Sequence, residues 1–339
     1  MPDEEHGRVI VLRDTRGVTD AHAVIVPALM PIVARFTGKR TCAEIAVEAG
    51  REMGADIPVA VVVRLAKELE RGLFLEGHVF RAALARVEAE FSATSTRKAT
   101  HAGGAYHAER GALERYIDDS CLATAMRDAG SAPLVSDRAG AMRALIAPHI
   151  DPWRGALGYG RAYSALAEAL PPEADTFVVF GTSHAPMAEP FALCRKAFAT
   201  PLGTVKADVA SIDMLAARAE FDPYADQMNH KREHSIEFQV VLLKHIMKAR
   251  EFRIVPVLAG LGAEQSTGAD PSGSAQVVRF LAGVRDLVES RPGRVVIVAG
   301  ADMAHVGPRF GDARAFGKEE RAALESLDRA SLDRAAAVD

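Results

Sequence analysis

Arg143-Ala-Leu-Ile-Ala-Pro-His-Ile-Asp-Pro-Trp-Arg-Gly155 is the stretch from which the fold can be read. Residues 144–147 form a short apolar run suited to a buried strand. Pro148 has no N–H to give a ladder, so the strand should stop there and leave His149 just past its carboxyl end. Gly155, Gly158 and Gly160 read as a glycine-rich turn leading into a helix over 161–170. A strand, a polar tip, a turn and a helix form the unit with which an open α/β sheet lines its binding crevice. Taken alone, His149 reads as a hydrogen-bonded turn residue.

The pattern then recurs. Asp175-Thr-Phe-Val-Val-Phe-Gly181 is a β-branched and aromatic strand that runs into Thr182-Ser-His184-Ala-Pro186. Arg294-Val-Val-Ile-Val-Ala-Gly300 is another, leading into Ala301-Asp302-Met-Ala-His305. Parallel strands of one sheet bring their tips to one edge, so the histidines His149, His184 and His305 are expected to share a site.

A chain of 339 residues has room for one large domain and a smaller one. Apolar residues at 49% and charged residues at 25% give the balance of a soluble globular protein. The net charge of −4 offers no footprint for a polyanion, which argues against nucleic acid as a partner. The apolar run 23–33 is too short and too proline-interrupted to span a bilayer, and the polar start Met1-Pro-Asp-Glu-Glu is no signal peptide. Cys42, Cys121 and Cys194 make neither a disulfide framework nor a paired metal motif. The expected location is the cytoplasm, with no membrane contact.

The amino-terminal third carries its own pattern. Residues 24–36 have helical spacing, and Thr41 with Glu44 makes a capping box ahead of a short helix. Pro58 opens another helix, with Val61, Val62, Leu65, Leu69 and Leu73 on its apolar side. Residues 72–80 read as a small hairpin, and 81–101 as a linker that is helical to about Phe91. Three helices and a hairpin resemble a winged-helix module or the related small domains that hold a leader peptide. Arg64, Lys67 and Arg71 are offset by Glu68 and Glu70, so the third helix is a solvated face and no phosphate grip. The boundary is expected near residue 92, with a docking or regulatory domain over 1–92 and an α/β domain over 93–339.

Met228-Asn-His-Lys-Arg-Glu-His-Ser-Ile-Glu237 sets charged and imidazole groups just ahead of an apolar helix over 236–247. Ser235 and its neighbours can cap that helix, which leaves Glu233 and Glu237 a structural reading. His234 is expected in the pocket and His230 outside it. His245 is assigned to the surface, His101 to packing, and Cys194 to a buried, inert position. Tyr106, Trp153 and Tyr159 fit a pocket wall and a core equally well. Residues 260–274 read as a surface loop and 315–337 as a largely helical segment.

Six motifs occur in order: Thr100-His-Ala-Gly-Gly-Ala-Tyr106, Ile146-Ala-Pro-His149, Gly181-Thr-Ser-His184, Glu233-His-Ser-Ile-Glu237, Ile254-Val-Pro-Val-Leu258 and Asp302-Met-Ala-His305. Together they resemble the Memo family, known in bacteria as AmmeMemoRadiSam system protein B, over roughly residues 95–339. The resemblance implies the fold of class III extradiol dioxygenases, a central β-sheet between helices with a metal at the strand tips. It implies His149 and His184 as metal ligands and His234 as the acid/base. Ala304 stands where some members carry a cysteine, which weakens the case for copper(I). Asp302 and His305 are then the candidates for the third ligand. Two imidazoles and a carboxylate suit iron(II), with copper or zinc as alternatives. Members usually continue past the helix that follows Asp302-Met-x-His, so a final strand or helix is expected to be missing.

Three functions are open. One, which the resemblance implies, is a non-haem metal-dependent oxidoreductase, dioxygenase-like, acting with a radical S-adenosylmethionine enzyme and an Amme-type protein. The second is a non-catalytic scaffold that uses the pocket to bind a metal, a small molecule or a peptide. The third is a vestigial site whose histidines serve structure alone.

Overall fold

The computed structural model describes residues 2–3, 7–129, 142–260, 262, 267–312 and 316–337, and the chain divides into the units Met1–Ser95 and Thr96–Asp339. In the first unit Thr41 caps the helix Cys42–Met53 as its sequence predicts. Its Oγ1 accepts the Glu44 N–H at 3.2 Å, and Glu44 Oε2 accepts the Thr41 N–H at 2.7 Å. Pro58 precedes the helix Val59–Arg71, and Ile32, Ile45, Ala49 and Val62 form the small core.

Two expectations for this unit fail. Residues 24–36 are not one helix: His22–Ile25 pairs antiparallel with Ile10–Arg13, and only short turns, Pro27–Leu29 and Met30–Val33, follow. Pro27 and Pro31 each remove the N–H that a continuous helix would need there. Nor is there a hairpin over 72–80. That segment is a turn, with Leu73 at φ 64°, and the helix His78–Ala93 begins at once. The Ala, Arg and Glu residues that fill 81–90 are strong helix formers, and they carry the helix back to His78. No strand lies between 72 and 93 to serve as a wing.

Among the described residues the second unit holds one eight-stranded sheet. Its strands are β1 (Thr96–Arg97), β2 (Ala144–Ala147), β3 (Thr176–Thr182), β4 (Phe191–Leu193), β5 (Ala197–Thr200), β6 (Gly203–Ala207), β7 (Arg253–Ala259) and β8 (Val295–Gly300). The order is β1-β5-β6-β7-β3-β8-β2, with β4 also on β7. The run β6-β7-β3-β8-β2 is parallel throughout, as the repeated strand-to-helix pattern requires.

Helices cover both faces: α1 (Pro152–Ala169), α2 (Val209–Arg218), α3 (His234–Met247) and α4 (Ala275–Ser290). Phe177 and Val179 of β3 pack with Tyr163, Leu166, Ile236 and Leu243 of α1 and α3. Val178, pointing the other way, packs with Ile212, Leu215, Phe280 and Val284 of α2 and α4. Each such buried side chain contributes about 1.5–3 kcal/mol; truncating the fully buried Phe280 to Ala would cost about 3–5 kcal/mol. The chain is thus an α/β protein with a central sheet between helices.

The glycine-rich turn after His149 is absent. Asp151 is the N-cap, accepting the Arg154 N–H at 3.1 Å, and Pro152 opens α1 directly. Gly155, Gly158 and Gly160 therefore lie inside the helix. A Cβ on Gly160 would overlap the carbonyl oxygen of Cys121, so glycine there is what lets α1 cross the helical run of residues 110–129. Of the loop expected over 260–274, part lies outside the described residues, and its end forms the turn Pro271–Gly273. The segment near the end is the helix Lys318–Ala337, with Ala315 outside the described residues.

Candidate metal centre

Ala147, Gly300 and Gly181 sit side by side across β2, β8 and β3. His149, Asp302 and His184 follow them by two or three residues, so all three emerge at one edge of the sheet. The two glycines in that row matter for what lies against it. A Cβ on Gly181 would meet Ser235 Oγ and, at 2.5 Å, Ile236 Cγ1; one on Gly300 would meet Ser235 O and Gln239 Nε2, each at 2.8 Å. Their bare backbones admit the first turn of α3, and with it His234. Ser235 Oγ donates to Thr182 O at 2.9 Å, and Gln239 Nε2 donates to Pro148 O at 2.9 Å. One helix end therefore ties down both histidine loops.

The result is a cluster: ligand atoms of His149, His184 and His234 all lie within 4.8 Å of one another. Ring centroids are 5.2 Å apart for His149 and His184, 5.5 Å for His149 and His234, and 4.5 Å for His184 and His234. His149 Nδ1 donates to Gly300 O at 2.9 Å, and His184 Nδ1 lies 3.0 Å from Glu233 Oε1. In the neutral ring each of these bonds places the proton on Nδ1 and turns Nε2 toward the cluster as the nitrogen that can hold a metal.

Charge around the cluster follows from burial and hydrogen bonding. Burial alone would raise the Glu233 carboxyl, but its bonds from His184 and from the Ser235 N–H outweigh that and hold it at about 2. Its hydrogen bond in turn raises the His184 pKa. Burial pushes His234 down to about 4, more than the Glu233 charge restores, so its ring is neutral near pH 7. Burial would raise Asp302 too, yet the N–H of His149 at 2.7 Å and that of Ile150 at 3.0 Å keep it low.

Asp302 thus grips the His149 loop with Oδ1. Its Oδ2 lies 3.8 Å from His149 Nε2 and 3.4 Å from His305 Nε2. His305 itself is half-exposed, stacked on Phe310 at 4.9 Å. A cavity of about 310 Å³ opens onto the cluster, walled by Ala105, Ile150, Phe238 and Phe310 with Arg154 among its lining residues. A hollow of similar size, about 340 Å³, lies by the opposite ends of the strands, where Arg291 and Arg294 pair with Asp175 and Asp208.

His230 is fully buried, with Nε2 on Ala192 O at 3.0 Å, and it does not line the cavity. Cys194 is buried, and burial lifts its thiol to about 11. Tyr106 and Tyr159 are core residues, whereas Trp153 is exposed. His245 departs from its surface assignment: its side chain is nearly covered, and Nε2 meets Asp118 at 2.8 Å, because the end of α3 abuts the helical run of residues 110–129.

Sequence reasoning missed a second polar group. Arg97, within the expected linker, is buried and forms an ion pair with buried Glu237 of α3. Its Nε donates to His230 O at 2.9 Å and its Nη2 to Glu233 O at 2.7 Å, pinning the approach to His234. Glu237 accepts from Tyr106 OH, the His101 N–H and His101 Nδ1 as well, and these bonds hold its carboxyl at about 2 against burial. His101 is therefore not simple packing: it lines the cavity, with its ring 5.6 Å from that of His234. A charged residue in a two-residue strand gives no periodic signal, so nothing local marked Arg97.

The sequence model of Memo-like proteins matches residues 97–339. A MEMO1 family protein of Aquifex aeolicus is 26% identical over 319 residues, covering 94% of this chain and 77% of that protein. One of Methanosarcina mazei is 33% identical over 148 residues, covering 43% of this chain and 50% of its own length. One of Thermus thermophilus is 29% identical over 170 residues, covering 50% and 46%. The family match spans the sheet, the helices on both faces and the whole histidine cluster; the chain belongs to the Memo family.

Proposed function

We propose that His149, His184 and His234 hold one divalent transition-metal ion and that the chain is a metal-dependent oxidoreductase of the dioxygenase type. The convergence of three imidazoles carries this reading. Nitrogens around an ion at about 2.0–2.1 Å stand about 3.4 Å apart. A set already within 4.8 Å needs to close by at most about 1.4 Å. Imidazoles beside the Asp302 carboxylate suit iron(II), with copper and zinc as competing occupants. Such an ion would supply Lewis acidity and a way to activate dioxygen.

The chain's own residues do the rest. Glu233 and Gly300 O orient the rings, His234 stays neutral as a donor, and Asp302 Oδ2 with His305 offers hydrogen bonds at the rim. The apolar wall of Ile150 and Phe238 limits water. In this assignment His234 binds the ion, and Asp302 and His305 support the site from its edge.

Ala304, in place of a soft thiolate, and the exposed Trp153, Met303 and Phe310 favour a second reading, a non-catalytic scaffold for a metal or a peptide. Association with a radical S-adenosylmethionine enzyme and an Amme-type protein belongs to the same proposal and rests on the family resemblance; pull-down with the full chain tests it.

The deciding measurement is metal content by elemental mass spectrometry for wild type, His149→Ala and His184→Ala. About one equivalent in wild type, lost in both variants, supports the site. No metal after anaerobic iron(II) loading sinks it. Oxygen uptake with catechols then separates the enzyme from the scaffold.

A further inference from the structure

We infer that His101 is a ligand-binding residue of this site, its Nε2 accepting a hydrogen bond from a hydroxyl of an aromatic molecule held beside His234. The inference rests on the three-histidine reading above. It starts from a carboxylate that that reading leaves unused.

Glu237 is fully buried one turn into α3, and its ion pair with Arg97 is equally buried. Such a pair adds little net stability over an apolar pair of the same volume. What it does is orient one loop. Glu237 Oε2 accepts from the Thr100 N–H at 3.2 Å, from Thr100 Oγ1 at 3.1 Å and from His101 Nδ1 at 3.1 Å. Glu237 Oε1 accepts the His101 N–H at 3.0 Å and the Tyr106 hydroxyl.

The carboxylate is itself immobile, because every N–H of Arg97 is engaged. Besides its bonds to Glu237, His230 O and Glu233 O, Arg97 donates to Lys98 O at 2.9 Å and to Thr100 Oγ1 at 3.2 Å. An ionised carboxylate only accepts, so the Nδ1 bonded to it carries a proton, and in the neutral ring Nε2 on the far edge then carries the lone pair. The ring lines the cavity 5.6 Å from His234 and 5.7 Å from Phe238. An acceptor locked in place beside an ion site, next to the face of a phenylalanine, matches a hydroxyl on a single aromatic ring. A cavity of about 310 Å³ admits one such ring.

The test uses cobalt(II)-loaded full chain, with visible absorption as the readout, and catechol against guaiacol as probes. Catechol keeps a second O–H; guaiacol replaces it by a methoxy group. Wild type should prefer catechol by about tenfold, the worth of one well-placed hydrogen bond. His101→Phe should bind cobalt(II) as wild type does and lose that preference, with guaiacol affinity unchanged. His101→Gln, whose amide oxygen reaches the Nε2 position, should keep part of it. Several results would overturn the assignment: an unchanged preference in His101→Phe, loss of cobalt(II) in that variant (which would make His101 a ligand), or no catechol binding to loaded wild type. Failure of wild type to bind cobalt(II) would instead remove the metal reading, and this inference with it.

Discussion

Glu233 holds His184 from two sides: Oε2 accepts its main-chain N–H at 2.8 Å, and Oε1 lies 3.0 Å from its ring Nδ1. The same Oε1 caps α3 through the Ser235 N–H at 3.0 Å and lies 3.3 Å from Nδ1 of His234. One buried anion thus couples the start of a helix to the aim of two imidazoles. Glu233→Gln keeps the shape and much of the cap while removing the charge. Its metal affinity should fall about 10–100-fold, measured by chelator competition. Equal affinity in the two proteins would show that the carboxylate serves the helix alone.

Gly181→Ala and Gly300→Ala should each destabilise the chain by about 1–3 kcal/mol, since the added methyl meets backbone or packed side chains of α3. Urea unfolding reads the loss. Both variants should also bind metal more weakly, because the turn that must retreat carries His234. Wild-type stability in either variant would mean that α3 has slack at that end.

Arg97→Met leaves the Glu237 charge buried without its partner and should cost about 3–5 kcal/mol. Adding Glu237→Gln removes the stranded charge, so the double variant should be more stable than Arg97→Met alone. Strict additivity of the two losses in denaturant titrations would refute a direct coupling.

Burial lowers the pKa of His230 to about 4 from 6.5, so between those values the unfolded chain binds the proton more tightly than the folded one. Stability from the neutral ring is complete above pH 6.5 and falls as pH drops toward 4, by about 3 kcal/mol in all. Metal-free His234 is lowered to the same value and adds to the slope; His184, whose pKa is raised, opposes it. His230→Gln keeps a donor for Ala192 O and removes only its own titration. Its stability should vary less with pH across this window than that of wild type, by urea unfolding at each pH. Parallel pH profiles would show that His230 does not carry the effect.

Much of the fold was legible from local pattern. The apolar runs at 144–147, 175–181 and 294–300 became adjacent parallel strands with their tips in one row. Thr41 and Glu44 formed the capping box that their spacing announces. Local pattern misled where two readings share one composition. Gly155, Gly158 and Gly160 suit a loop, yet Asp151 and Pro152 start a helix before them, and the glycines serve its crossing. Residues 72–80 have hairpin turn chemistry, yet the helix formers after them decide the segment.

By itself the sequence determined that this is a parallel α/β sheet whose strands deliver His149 and His184 to one edge, because strand periodicity and proline or glycine stops act over a few residues. The sequence also put His234 in the pocket, but only the tertiary structure decided how it is seated and which further group joins. His234 reaches the strand tips because two glycines let α3 close on them; His101 enters because Arg97 and Glu237, 140 residues apart, meet in the core. Those contacts are made by packing between distant segments, and no periodicity in the chain encodes them.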